Sequence, residues 1–249
     1  MSRTQLYPVI TNLPTITTTQ MIEVDRRMMD DIGISLFQMM ENAGLQLASL
    51  ARDVFLGGNV RGKRIAVLAG TGGNAGGAIV AARRLTSWGA TCDIGFGRDA
   101  TVLADVPKAQ FDILDKITSI DLIKPQDLKA DYDLILDGLI GYSLKGDPRG
   151  GVADFINAAN AISTPVLSLD VPSGYDGETG ARRNPSMQAD ATLTIALPKA
   201  GMLDATENIG RLFCADISCP PCVYENLGLT RMYEPPFAQS PIVELSLAH

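Results

Sequence analysis

The sequence predicts an α/β fold: a three-layer α/β/α sandwich on a Rossmann-like, mostly parallel sheet. Three observations carry that expectation. From residue 63 onward, short unbroken apolar runs alternate with stretches of helical periodicity, the pattern of strands buried on both faces by helices. Hydrophobic residues make up 46% of the 249, enough for one large core. The glycine-rich loop GTGGNAGG at 70–77 lies between the first apolar run and a helical pattern, where a turn can present backbone N–H groups to a ligand.

The elements follow in order. Residues 1–16 are polar and proline-punctuated and read as an arm. Thr17, Thr18 and Thr19 offer caps for a helix starting near Gln20, with Met21, Val24, Met28 and Met29 as its apolar stripe. Gly33 interrupts it, and a second helix is expected over 35–55, where Leu36, Met39, Met40, Ala43, Leu47 and Leu50 recur at helical spacing. That methionine-rich stripe reads as core. Strands are expected at 64–69, 91–96, 134–140, 166–171, 191–197 and 212–217, and helices near 76–88, 105–117 and 151–162. The end, 234–249, is broken by prolines and reads as a surface tail. The whole chain, 1–249, reads as one domain.

Several function classes are disfavoured at once. A formal charge of -7 and a pI near 4.7 argue against non-specific binding to nucleic acid or to an anionic membrane, both of which need concentrated Lys and Arg. No apolar run reaches the roughly 20 residues of a membrane span, and the N-terminus lacks a secretory core, so the expected location is cytoplasmic. Four cysteines are too few to staple this chain, although Cys219 and Cys222 stand in redox or metal spacing. The sole histidine, His249, is the last residue, which disfavours a Ser-His-Asp triad or a histidine zinc site and leaves proton transfer to carboxylates, Lys, Tyr or Cys.

In parallel sheets, sites form beyond the carboxyl ends of the strands, and three such ends stand out. The loop at 70–77 lacks the Lys of a P-loop. As a dinucleotide fingerprint it would read Gly70-x-Gly72-x-x-Ala75 with Asp93 as the ribose acid, but Asp93 falls inside its strand. A methyltransferase loop, or a turn with packing value alone, fits as well. Asp137, in the apolar run LILDGLI, needs hydrogen bonds, a cation or a solvated site. Behind it Lys145 could meet a phosphate or only solvent. Asp170 ends another strand, followed by Pro172 and Ser173, a rigid turn holding carboxylate and hydroxyl together. Asp176 and Glu178 read as solvated.

Taken together, GTGGNAGG, LDGLIGYSLKGD, LDVPSGYDGETG, MMENAG (39–44) and ADATLTIALPKAGML (189–203) resemble the NAD(P)H-hydrate epimerase, or YjeF N-terminal, domain family, in order from about 21 to 217. The resemblance implies a repair enzyme that interconverts the R and S epimers of hydrated NADH or NADPH, so that a separate dehydratase accepting one epimer can restore the cofactor. It implies one K+ per subunit, held by Asn74, Asp137 and Ser173. Nucleotide contacts are implied from Gly73, Asn74, Ala75, Gly76 and Gly77, from Gly141, Tyr142, Ser143, Leu144, Lys145, Gly146 and Asp147, and from Asp170, the implied catalytic carboxylate. A homodimer is also implied. The glycine loop departs from the family pattern: Gly73 stands where the family has Asn, and Gly77 where it has Asp. A diverged epimerase, a different enzyme on the same scaffold acting on a nucleotide-like substrate, and a non-catalytic binding module all accommodate that change.

Overall fold

The computed structural model describes residues 6–118, 120–203, 207–229, 231 and 233–246; His249 lies outside them. The apolar runs become β2 (Arg64–Ala69), β3 (Thr91–Phe96), β4 (Leu134–Gly138), β5 (Val166–Leu169), β6 (Ala191–Ile195) and β7 (Arg211–Ala215). With β1 (Val9–Ile10) and β8 (Ile242–Leu245) they form one sheet in the order β1-β8-β7-β6-β5-β4-β2-β3. Every pairing is parallel except β7 with β8.

The helices are α1 (Thr18–Arg26), α2 (Leu36–Leu50), α3 (Gly73–Ser87), α4 (Asp105–Ile117) and α5 (Gly151–Asn160). Strand side chains alternate between faces. Ile65, Val67 and Ala69 enter a core with α2, α3 and α4, while Ala66 and Leu68 enter a second one with Phe155 and Ile156 of α5. Beside α5, that second face is covered by turns around Val171, Tyr175 and Met202.

The two first helices start where their caps stand. Thr17 and Gln20 form a reciprocal capping box, as do Ser35 and Gln38, and each satisfies otherwise orphaned N–H groups. Met21, Val24 and Met28 are buried as their spacing requires, but Met29, at the edge of the stripe, is 40% exposed. Both helices end in a π-helical turn, Arg27–Ile32 and Ala51–Phe55. Gly33, at φ 86°, closes the first, a left-handed conformation that favours glycine.

Four expected strands end early. Those read as 134–140, 166–171, 191–197 and 212–217 stop at Gly138, Leu169, Ile195 and Ala215; in the second and third, Asp170 and Ala196 turn left-handed, at φ 70° and 63°, and leave the ladder. The arm and the surface tail need a larger correction. β8, from the tail, lies between β7 and β1, with Val243 opposite Cys214 and Glu244 opposite Val9. Both strands are short and have a proline just outside them, Pro8 and Pro241, a position that spares the ladder hydrogen bonds. Val243→Ala is expected to cost about 2 kcal/mol in chemical denaturation, since Val243 is fully buried. A loss within about 0.5 kcal/mol would return the segment to the surface.

Candidate active site

The chain runs from β2 through α3 to β3, then back across β2 to β4 and on to β5. That reversal opens a crevice at the carboxyl ends of β2 and β4. A cavity of about 670 Å³ lies there, within the roughly 300–1,000 Å³ usual for small-molecule sites. Its walls come from the loop after β2, the segment after β4, the end of β5, and methionines 21, 39 and 40 of α1 and α2. Two loops meet closely at its edge: a Cβ on Gly70 would lie 1.9 Å from the Leu139 carbonyl oxygen, so no larger residue fits without moving that backbone.

Asp170 is 1% exposed and sits in the left-handed region, at φ 70°, where Asp and Asn are among the few non-glycine residues tolerated. Its Oδ1 is in contact with the Lys199 ammonium, and its Oδ2 accepts the backbone N–H of Tyr142 at 2.9 Å. Lys199 is equally buried and also donates to the Ile195 carbonyl at 3.1 Å and the Thr194 hydroxyl at 3.3 Å. The phenol of Tyr142 donates to Asp25 Oδ2 at 2.7 Å. Burial and the neighbouring Asp25 carboxylate push the phenol well above its ordinary pKa.

Asp137 lies beneath the cavity, wholly buried. Its carboxylate accepts four hydrogen bonds: the Ser168 hydroxyl at 2.8 Å, the Ser173 N–H at 2.9 Å and hydroxyl at 2.5 Å, and the Leu139 N–H at 3.2 Å. Burial still raises its pKa against those donors, and no cationic side chain contacts it among the described residues. Ser173 in turn accepts the Ile140 N–H at 2.9 Å, and the Asn74 amide donates to the Leu169 carbonyl at 3.0 Å. One patch thus ties together the ends of β2, β4 and β5.

Of the residues singled out in the sequence, Gly73, Asn74, Gly77, Gly141, Tyr142, Ser143, Leu144, Lys145, Asp147 and Asp170 line the cavity. Ala75, Gly76 and Gly146 do not line it, and neither do Asp137 and Ser173. Ala75 is buried in the core, and a Cβ on Gly76 would lie 2.2 Å from Met40 Sδ, so Gly76 serves the packing of α3 on α2. Gly77 has its own steric cause, since a Cβ there would lie 2.7 Å from Leu169 Cδ2; an aspartate at 77 would need Leu169 to move. Asp93 is held away from the cavity, accepting the Tyr132 phenol at 2.7 Å and Arg64 at 3.3 Å, which removes the ribose-acid reading. Cys219 and Cys222 are free thiols, and burial pushes Cys219 up to about 11.

Sequence reasoning missed Asp25, Arg98, Arg149 and Lys199. Lys199 follows the end of β6 by four residues, so the strand-end rule would have found it. Arg98 likewise follows the end of β3. Arg98, Lys145 and Arg149 all line the cavity and make no ion pair among the described residues, whereas most arginines of this acidic chain are paired. Three such cations in the cavity that the start of α3 also lines suit an anionic, phosphate-bearing ligand.

A family model described as YjeF-related protein N-terminus matches residues 36–201. The NAD(P)H-hydrate epimerase of Dehalogenimonas lykanthroporepellens is 40% identical over 233 residues, covering 93% of this chain and 92% of that protein. The NAD(P)H-hydrate epimerase of Nitrosopumilus maritimus is 32% identical over 85% of this chain and 99% of its own length. A Bifunctional NAD(P)H-hydrate repair enzyme Nnr from Hyperthermus butylicus is 33% identical over 76% of this chain, which spans 36% of that longer protein. Among solved structures, the yeast protein YNL200c superposes with a TM-score of 0.77 over 94% of this chain and all of its own, at 24% identity, a likeness of fold.

Proposed function

The chain belongs to the family described as YjeF-related protein N-terminus, and from that membership we propose that it is an isomerase that interconverts the R and S epimers of hydrated NADH or NADPH. The observation that carries this reading is Asp170: a carboxylate fixed at a strand end by Lys199 and the Tyr142 N–H, facing a cavity whose loose cations are Arg98, Lys145 and Arg149. Epimerisation at a hydroxyl-bearing carbon beside a ring nitrogen breaks a bond to that carbon and remakes it on the other face, and a positioned carboxylate can move the proton. The cations and the backbone N–H groups at the start of α3 hold the phosphates. Backbone contacts there serve in place of the two polar side chains that Gly73 and Gly77 lack, and 40% identity over 93% of the chain to a protein named NAD(P)H-hydrate epimerase favours a diverged epimerase over a site with another substrate.

Potassium is part of the same reading. The donor set fits a hard monovalent cation: amide, carboxylate and hydroxyl oxygens from Asn74, Asp137 and Ser173, around a buried carboxylate with no cationic side chain in contact among the described residues. When bound, the ion would supply that counter-charge and stiffen the loops after β2, β4 and β5. A dehydratase acting on the product completes the repair, in keeping with relatives named bifunctional NAD(P)H-hydrate repair enzymes. A cytoplasmic homodimer belongs to the reading too; Ile22, Met29 and Ile32, exposed on and just after α1, support the dimer.

The test is an assay on separated hydrated-NADH epimers in potassium and in choline chloride. A pure epimer should equilibrate faster than in the absence of protein, and faster with potassium. Equilibration no faster than the spontaneous rate would reject the epimerase, and equal rates in both salts would reject the cation.

A further inference from the structure

Two carboxylates face this cavity. Asp25, near the end of α1, lines it together with Asp170. Tyr142 spans the pair, its N–H donating to Asp170 Oδ2 at 2.9 Å and its phenol to Asp25 Oδ2 at 2.7 Å. Their surroundings differ in kind. Asp170 touches the Lys199 ammonium. Asp25 has a neutral phenol as its partner and no cationic side chain in contact among the described residues, and burial raises its pKa, opposed by the phenol and by Lys199. Two carboxyl groups in unlike surroundings are the usual basis for dividing acid from base.

We propose that Asp25 is the second catalytic carboxylate of this site, acting on the face of the reacting ring opposite to the one Asp170 serves. The inference rests on the epimerase reading and deepens it, because inversion needs proton transfer on both faces. In one direction, the protonated Asp25 gives its proton to the hydroxyl of the reacting carbon. The C–O bond breaks, its electron pair leaves with the water, and the ring nitrogen lone pair forms a C=N bond. Water then attacks that carbon from the other face, the C=N pair returns to nitrogen, and Asp170 takes the proton that the attacking water loses. One proton has passed from Asp25 to Asp170, and the reverse turnover, or exchange with solvent, restores it. Tyr142 holds both groups at a fixed separation.

Steady-state rates on separated epimers test this in the full chain. Asp25→Asn keeps an acceptor for the Tyr142 phenol but carries no proton to give, so kcat is expected to fall about 100-fold with KM little changed. Asp25→Glu should keep at least about a tenth of the wild-type rate, since the acid remains on a longer arm. Tyr142→Phe, which loses the phenol but keeps the N–H on Asp170, should fall by less than about tenfold. The proposal is overturned if Asp25→Asn turns over at nearly the wild-type rate, or if Tyr142→Phe falls as far as Asp25→Asn, which would make Asp25 only an anchor for Tyr142. A wild type that leaves both epimers unchanged sinks the epimerase reading and this inference with it; an active wild type with an unimpaired Asp25→Asn variant sinks the inference alone.

Discussion

Lys199→Met is expected to destabilise the protein by about 3–5 kcal/mol, the usual result of removing one partner from a buried ion pair. The side chains of Lys199 and Asp170 are 1% and 2% exposed, so solvent cannot replace the lost partner. Methionine fills most of the same volume, which keeps the loss from being a cavity effect. It leaves the Asp170 carboxylate with only the Tyr142 N–H, and removes the donors to Thr194 and the Ile195 carbonyl. Adding Asp170→Asn to Lys199→Met should recover much of the loss, because a neutral amide replaces the stranded charge; a double-mutant cycle in urea measures that coupling. If Lys199→Met alone unfolds at the wild-type denaturant midpoint, the pair is not the structural tie described above.

The parts of the fold legible in the sequence were those with local signals. Continuous apolar runs such as RIAVLA, and helices with a cap and a stripe, declare themselves within a dozen residues. What stayed hidden depends on partners far away. β8 is four residues long and pairs with β1 across more than 230 positions, so no local pattern separates it from a surface tail. The site divides in the same way. Asp137 and Asp170 stand out as acids at the ends of apolar strands, but Asp25 lies on an amphipathic helix where an acid looks like ordinary solvent-facing polarity. Only the fold brings it to the Tyr142 phenol. The glycine loop shows both cases at once: its position marked the cavity edge, whereas the reasons for Gly70 and Gly77 are the Leu139 carbonyl and the Leu169 side chain, which lie on other strands' ends.

These contacts also explain why the site is rigid without being built from large side chains. The segment after β4 is tied to β5 twice, through Ser173 with Ile140 and through Asp170 with Tyr142. The Asn74 amide ties the first turn of α3, just after β2, to the same strand. Backbone groups on three strand ends therefore share one set of side-chain hydrogen bonds, and moving any of these loops breaks bonds belonging to the others. Positioning of this kind is what a proton transfer needs.

Asp170→Asn is accordingly expected to lower kcat for epimerisation by about 10³-fold, within the 10²–10⁴ range of a lost acid–base group, while substrate affinity changes little. Asparagine is the informative replacement because residue 170 has φ 70°: Asn tolerates the left-handed region, whereas Ala would add backbone strain. The amide oxygen can still accept the Tyr142 N–H, so the loop after β4 should stay in place. Asn cannot balance the Lys199 ammonium, and some stability will be lost with the rate. Measuring kcat well below the variant's unfolding midpoint, alongside nucleotide affinity by calorimetry, separates the two effects. A folded variant that binds and epimerises at nearly the wild-type rate would remove Asp170 from the chemistry and leave it only a structural partner of Lys199.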